Sequence, residues 1–377
     1  MCIYTTTFSN IDRGPLNFTS SVISYSYQTG RQSYLDNWNG NQLTLVIRNN
    51  AQQADNFLIN DRISISTLPN YFWVSSISYN DALGTNGTAG SGSASTATII
   101  CDDWLAKVGR IQVNDFALTQ TDTISQLTQF NSILTANGLA IDTTAGAGSS
   151  VASAATYSGT ILNRINLNMT TEKGQIKLLL NKAYLLPRSA ITANFSTPVI
   201  SSKSEGVGTI LYQGFQRITL GQNFVNAMTV QPEGLADQTA QYTPSVNTYG
   251  IKSGTLTTVD ATTGQALDLA YWLSNVQAYP MSLRFAVEVS DTGNGSSEFA
   301  SWLSNMNQQN YWGLVLLYYV PGSAAQVNMP VVFEGMDIHG FPDRTETTAY
   351  FSPYDFYNYF ILNSTVQGVL DDDRLGF

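Results

Sequence analysis

Charge is what this chain has least of. Asp, Glu, Lys and Arg make up 12% of its 377 residues, against about 25% in an ordinary globular protein. Histidine occurs once, at His339, which takes away the usual supply of general bases and metal ligands near neutral pH. The two cysteines, Cys2 and Cys101, lie far apart with no CxxC or Cys/His spacing, so neither a disulfide scaffold nor a zinc site is indicated. No stretch reaches the roughly 18 consecutive apolar residues of a membrane-spanning helix. Residues 1–10 have neither the positive start nor the apolar run of a secretory signal. Lys plus Arg number 17 against 27 Asp plus Glu, a net charge of −10, so no basic stripe is available to wrap nucleic acid. Transient passage of DNA past the protein stays compatible with that balance.

What is present is apolar and aromatic. The 43% of hydrophobic residues is enough for real cores, and the length suits about two or three domains. The 20 Tyr, 17 Phe and 6 Trp are interleaved with Asn, Gln, Ser and Thr. That mixture gives hydrogen-bonding surfaces and flat contacts without titration, as a structural or binding protein requires.

Short alternating segments dominate the first third. Residues 22–27, 43–47, 62–66, 71–79 and 97–101 read as strands. Residues 104–108 read as a short helix stopped by Gly109, and the Gly/Ser-rich run 84–95 as a mobile loop. The period then changes. Ile124, Leu127, Phe130, Ile133 and Leu134 share one helical face, capped by Thr121 or Asp122 and ended by Gly138. A low-complexity Ala/Gly/Ser/Thr stretch at 143–158, a helix at 159–169 and a hairpin over 174–186 complete this part. Strands return at 218 and 224–230, a helix at 263–278 closed by Pro280, strands at 283–289, 313–320, 331–338 and 347–351, and a second helix at 297–306. Residues 72–77 followed by 97–102 resemble residues 332–338 followed by 349–355, as if one hairpin served twice.

Candidate chemistry is thin. The paired carboxylates Asp102 with Asp103, Glu334 with Asp337, and Asp371, Asp372 and Asp373 read better as a strand-end cap, strand polar positions and a solvated terminal run than as a hydrolytic pair. His339 stands where a strand meets a turn, with no Gly-x-Ser-x-Gly elbow in the chain. Gly84, Gly87 and Gly90 lack the Lys-Ser/Thr of a phosphate loop. No catalytic, cofactor or metal residue is assigned, and no enzyme is expected. The aromatic cluster Tyr350, Phe351, Tyr354, Phe356, Tyr357, Tyr359 and Phe360 suits either a core or a subunit contact rich in Tyr hydroxyls.

Several stretches, taken in order, resemble a family. The run at 350–363 and the ending Gly368-Val369-Leu370-Asp371 through Arg374-Leu375-Gly376 are similar to the close of tail-associated, baseplate-hub-like minor tail proteins of long-tailed bacteriophages. Residues 22–27, Gly30-Arg31, Trp38-Asn39-Gly40, the strand ending Arg48-Asn49, and Asp61 to Ile65 follow the order of the same group, with Asn60 where it has glycine. Thr171-Glu172-Lys173-Gly174 before a hairpin ending near Arg188 is similar to its middle domain, and residues 245–250 with the helix 266–278 to its second barrel.

The resemblance implies a mainly β chain of two antiparallel β-barrel domains, 1–117 and 207–377, flanking a small inserted α+β domain at 118–206. It implies a virion structural protein of the tail, made in the host cytoplasm. Three copies would form a hub-like ring that adapts a sixfold tail tube to a threefold tip and lines the DNA channel. Implied partners are further copies of itself, other tube, tip or fibre proteins of the tail, and DNA in transit, with no cofactor and no membrane span. The candidate subunit interface is Tyr354, Phe356, Tyr357, Tyr359 and Phe360. A receptor- or glycan-binding tail protein is the alternative, since aromatic platforms with Asn and Gln donors also suit sugars.

Overall fold

The computed structural model describes residues 6–14, 16–34, 36–49, 52–80, 95–191, 199–203, 209–219, 224–279, 282–291, 299, 302–303, 313–319, 326–341 and 344–354. The expected loop at 84–95, apart from Ser95, and most of the helix expected at 297–306 lie outside them.

The protein is mainly β, built on a 14-stranded, largely antiparallel sheet with three small companion sheets of two or three strands and one more of two. Strict alternation sets its faces. In Gln42–Arg48 the residues Leu43, Leu45 and Ile47 are fully buried while their neighbours are not, the period of a strand with one face on a core. No pairing among the described residues closes the large sheet into a barrel.

Within that sheet one arrangement occurs twice. In the first unit Val22–Gly30, Gln42–Arg48, Thr96–Asp102, Leu68–Asn80 and Arg62–Ile65 lie side by side, each antiparallel to the next. In the second unit Gly214–Thr219, Ser282–Ser290, Thr345–Pro353, Gln326–Gly340 and Gly313–Tyr319 repeat the order and the directions. The registers correspond. Val74, Cys101, Leu43 and Tyr27 form a row across the first unit, and Phe333, Phe351, Phe285 and Arg217 form the same row across the second. A bulge interrupts each hairpin at the same place, between Val74 and Ser76 and between Phe333 and Gly335. The hairpin similarity read from sequence is thus one part of a larger duplication.

The two units meet where residues 335–340 pair antiparallel with residues 25–30. Gly30 has φ +72°, and a Cβ there would stand 2.1 Å from the Glu334 carbonyl oxygen. A Cβ on Gly335 would stand 2.3 Å from the Thr29 oxygen. Only glycine lets these strands close on each other. One core, including Phe8, Leu45, Phe72, Ile99, Phe285, Val287 and Phe351, runs beneath both units.

The intervening part makes a second core. Asp122 caps Thr123–Thr128, accepting from the Ile124 and Ser125 amides at 3.1 and 2.9 Å. The single helix expected here breaks into Thr123–Thr128 and Asn131–Ala136. At the break the Gln129 and Phe130 amides bond three residues back, the Gln129 side chain returns to Thr119, and Phe130 stacks on Phe116 at 4.8 Å. Helix Ile161–Glu172 and the hairpin Gln175–Leu179 with Lys182–Leu186 complete it. Trp38, Trp73 and Trp104 of the first part close this core from outside. The low-complexity stretch contains a strand, Ala155–Thr160, paired with Gln112–Leu118. Main-chain bonds hold it, together with Tyr157, whose ring centre lies 6.4 Å from that of Phe130, and Ser158, whose hydroxyl accepts the Asp115 amide at 2.9 Å.

Between the first two strands of the second unit sits a small α+β body that the sequence reading did not separate. Helix Thr263–Val276 covers a 3-stranded sheet of Gln238–Gln241, Ala227–Pro232 and Ser253–Thr258, burying Met228, Val230, Ala266 and Leu273.

Gly30→Ala and Gly335→Ala should each lower unfolding stability by about 3 kcal/mol, measured by chemical denaturation, while Gly14→Ala, where open space surrounds the added methyl, should cost about 1 kcal/mol, the strain of its positive φ alone. Equal effects at all three sites would contradict the close approach of the units.

Candidate functional site

The bulge at Glu334 gathers groups from three parts of the chain. Arg31, at the end of Val22–Gly30, donates from Nε to Glu334 Oε2 at 2.8 Å with both side chains buried. Its backbone N–H donates to the Glu334 oxygen at 3.0 Å, and its guanidinium lies 4.8 Å from the Trp38 ring. From the inserted hairpin, Gln175 Nε2 donates to the Phe333 oxygen at 3.2 Å. Lys177 Nζ lies 5.1 Å from the Phe333 ring centre. Gly30, Trp38, Gln175, Lys177, Phe333 and Glu334 surround a cavity of about 20 Å³, room for about one water. An extra residue in the strand thus turns its carbonyl toward the Arg31 amide and its carboxylate toward the Arg31 guanidinium, with the Lys177 ammonium of the insert also feeling its charge.

A second polar seam joins the insert to the small body at 224–279. Arg164, fully buried, bonds Glu233 at 2.6 Å and Gln126 at 2.8 Å. Thr171 Oγ1 accepts the Val259 amide at 3.0 Å. The buried Glu172 carboxylate accepts from Thr123 Oγ1 at 2.7 Å and from the amides of Ser149, Ser150 and Arg188 at 2.9, 3.0 and 3.1 Å. Burial pushes Lys173 down to about 7 and Arg188 down to about 10. Enclosed and hydrogen-bonded, such groups fix geometry; the sequence singled out Glu172, Lys173 and Arg188 only within the family resemblance, because lone charged residues carry no spacing signal of their partners.

The carboxylates weighed in the sequence are engaged structurally. Asp103 caps Trp104–Val108 through the Ala106 amide at 2.7 Å, and burial pushes its carboxyl up to about 7. Asp102 holds Arg110 at 2.7 Å and Gln42 at 3.0 Å. Glu334 is taken by Arg31, and Asp337 accepts the Tyr350 hydroxyl at 2.6 Å. Asp371, Asp372 and Asp373 lie outside the described residues. His339 is exposed on Gln326–Gly340, opposite Glu346 and Ser26. Among the described residues no three of His, Cys, Asp and Glu converge as metal ligands would.

Of the expected subunit interface, Phe356, Tyr357, Tyr359 and Phe360 also lie outside the described residues. Tyr354 packs, partly buried, on a small cluster of Tyr34, Leu186, Ile191 and Val332. Phe351 belongs to the main core. An open cleft of about 580 Å³ is lined by Gln28, Arg31, Gln32, Asp36, Asn37, Asn39 and Asn41, an amide-rich surface.

Burial pushes the Lys177 ammonium from 10.5 down to about 7, with Glu334 pulling partly back. The folded chain therefore binds this proton less readily than the unfolded one. The stability that follows is present above 10.5 and is lost as pH falls to about 7, at up to about 1.4 kcal/mol per pH unit. Lys177→Met should consequently exceed the natural chain in stability most at pH 7 and below, and the two should converge as pH rises past 10.5. Urea denaturation across that range measures it, and a pH-independent difference would contradict it.

No family model and no curated protein matches the chain. Solved structures do. A tail protein from Neisseria meningitidis MC58 superposes with a TM-score of 0.63 at 9% identity, over 94% of this chain and 98% of that one. The 43 kDa tail protein of prophage MuSo2 from Shewanella oneidensis gives 0.55 at 11% identity, over 93% and 97%. Prophage tail protein gp18 from Listeria monocytogenes EGD-e gives 0.50 at 11% identity, over 91% and 94%. The stretches that resemble phage tail proteins in sequence therefore belong to a chain that shares, nearly end to end, the fold of prophage tail proteins.

Proposed function

We propose that this chain is a virion structural subunit of a phage tail, a hub-like component of the tail tip whose copies form a ring around the DNA path. The observation that carries the reading is the duplicated five-stranded unit, set in a chain with the fold of prophage tail proteins. Two like units per chain allow three chains to present six similar faces to a sixfold tube and three to the tip. In this reading each unit is the tube-forming, barrel-like element of the ring, and the insert and the body at 224–279 decorate it. The polar seams at Glu334 and Glu172 suit a part that transmits load without rearranging, since Arg31, Arg164 and Glu172 are each held by more than one partner. A net charge of −10 suits a channel that must let DNA slide rather than bind. The aromatic residues 356–360 fit a contact with a neighbouring tail ring. No catalytic role is assigned.

Reconstruction of the particle should place three copies about the tail axis, with the two units of each related by about a sixth of a turn. Position off the axis, as a fibre or capsid decoration, would refute the hub reading. Glycosidase, protease and cell-wall lytic assays should detect no turnover. An activity abolished by His339→Ala, or by Asp102→Asn with Asp103→Asn, would refute the non-catalytic one.

A further inference from the structure

The small body at 224–279 gathers aromatic side chains at its surface. Four rings follow one another nearly at right angles: Phe224 and Tyr249 at 5.2 Å and 69°, Tyr249 and Tyr279 at 6.2 Å and 79°, Tyr279 and Tyr242 at 5.9 Å and 78°. Phe224 is buried and Tyr242 half-buried, while Tyr249 and Tyr279 are 44% and 41% exposed. Ile251, two residues on from Tyr249, is 60% exposed.

One buried residue sets this surface. Asn226, fully buried, accepts the Tyr242 amide on its main-chain oxygen at 2.8 Å. Its side chain donates to Ser245 Oγ at 3.1 Å and to the Gly250 oxygen at 2.9 Å, and accepts the Lys252 amide at 2.7 Å. Ser245 Oγ donates in turn to the Ala278 oxygen. Helix Thr243–Tyr249 stops at Gly250, whose φ of +72° brings the chain back beside Asn226. The main chain at or next to Tyr242, Tyr249, Ile251 and Tyr279 thus hangs from a single buried amide. Rings held in this way are in place before a ligand arrives, which lowers the entropy lost on binding.

We propose that this surface is a saccharide-binding site, in which a pyranose ring lies against Tyr249 and Tyr279. The inference goes beyond the hub reading and does not depend on it. A pyranose carries C–H groups on its faces and hydroxyls around its rim. The site offers the complement: aromatic faces, the hydroxyls of three tyrosines, and the exposed flanking side chains of Gln241, Thr243, Thr248 and Lys252 as hydrogen-bonding groups. Other ligands fit less well. The exposed parts of two tyrosines and one isoleucine fall well short of the about 800 Å² per partner that a standard protein interface buries. Nucleic acid needs cations for its phosphates, and Lys252 is the single cation between residues 238 and 258. A hydrocarbon chain needs an enclosed apolar pocket, whereas these rings stand open to water. No carboxylate occurs between residues 238 and 258, so in that stretch neither neutral nor acidic sugars meet a like charge.

The test is an array of oligosaccharides spanning neutral hexoses, N-acetylhexosamines and uronic acids, probed with the full chain, the affinity of the binders then being measured by calorimetry. At least one class should bind. Tyr249→Ala and Tyr279→Ala should each weaken that binding by about tenfold or more. Tyr271→Ala, which removes a ring that is 45% exposed but lies outside the cluster, should leave it unchanged. Saturation-transfer NMR on the natural chain with the same saccharide should show strong transfer to the C–H protons of a sugar ring, a reading that does not depend on any variant folding. Binding to no class, binding that survives the loss of either tyrosine, or absence of transfer to ring C–H protons would overturn the site. Retention of another tail protein through Tyr249 and Tyr279 in place of a sugar would overturn it too. Each of these results leaves the hub reading standing, whereas a reconstruction that moves the chain off the tail axis leaves the site standing.

Discussion

Everything in this molecule is hung on the place where residues 335–340 lie against residues 25–30. Two glycines allow the approach, a bulge turns a carbonyl and a carboxylate inward, and Arg31 answers both from the other strand. A buried ion pair adds little net stability, because desolvating two charges offsets most of their attraction. Its value lies in selection. With Glu334 buried, a register that moved Arg31 away would strand a carboxylate in the core at a cost of about 3–5 kcal/mol. The alternation of apolar residues alone would permit a slip of two along the strand; the pair does not.

The same point organises the rest. Gln175 and Lys177 bring the insert onto the bulge, and Trp38, which receives the Arg31 guanidinium, exchanges two hydrogen bonds with Asn166 of helix Ile161–Glu172. That helix then carries Arg164 to Glu233 and Thr171 to the Val259 amide. First unit, insert, small body and second unit are thus joined by directional bonds in addition to shared apolar cores. Directional bonds resist shear where apolar contact alone slides, as the place in line with a tail tube proposed for this chain would require.

Much of the strand framework was legible in sequence because burial on one face writes a period of two. Leu43, Leu45 and Ile47 announce their strand, as Asp122 announces a helix start. The likeness of the two hairpins was visible too. Its extension to five strands was not, because equivalent rows share only burial: Val74, Cys101 and Leu43 stand where Phe333, Phe351 and Phe285 do. The split at Gln129 and Phe130 escaped because the apolar face continues through it and the break is made by Thr119, distant in pattern though near in space. Strand Ala155–Thr160 escaped for the opposite reason, since its residues bury little and pair through the main chain. Residues of the seams around Glu334 and Glu172 were named in sequence, Glu334 as a strand polar position and Arg31 and Glu172 within the family resemblance, but their pairing was not legible, because buried ionic groups show themselves only once their partners are assembled.

A joint built from peptide groups asks little of side chains. Apart from Gly30, Gly335, Gly340 and the Arg31–Glu334 pair, the unit-to-unit contact is made by main-chain bonds that any residues able to lie in a strand can form, so substitutions can accumulate at its other positions without breaking it. This gives a physical reason for a chain that keeps its fold over 94% of its length against a protein with which it shares 9% of its residues. Where recognition is carried by backbone geometry, shape outlasts sequence, and lineages can drift apart in composition while their parts still stack in the same way.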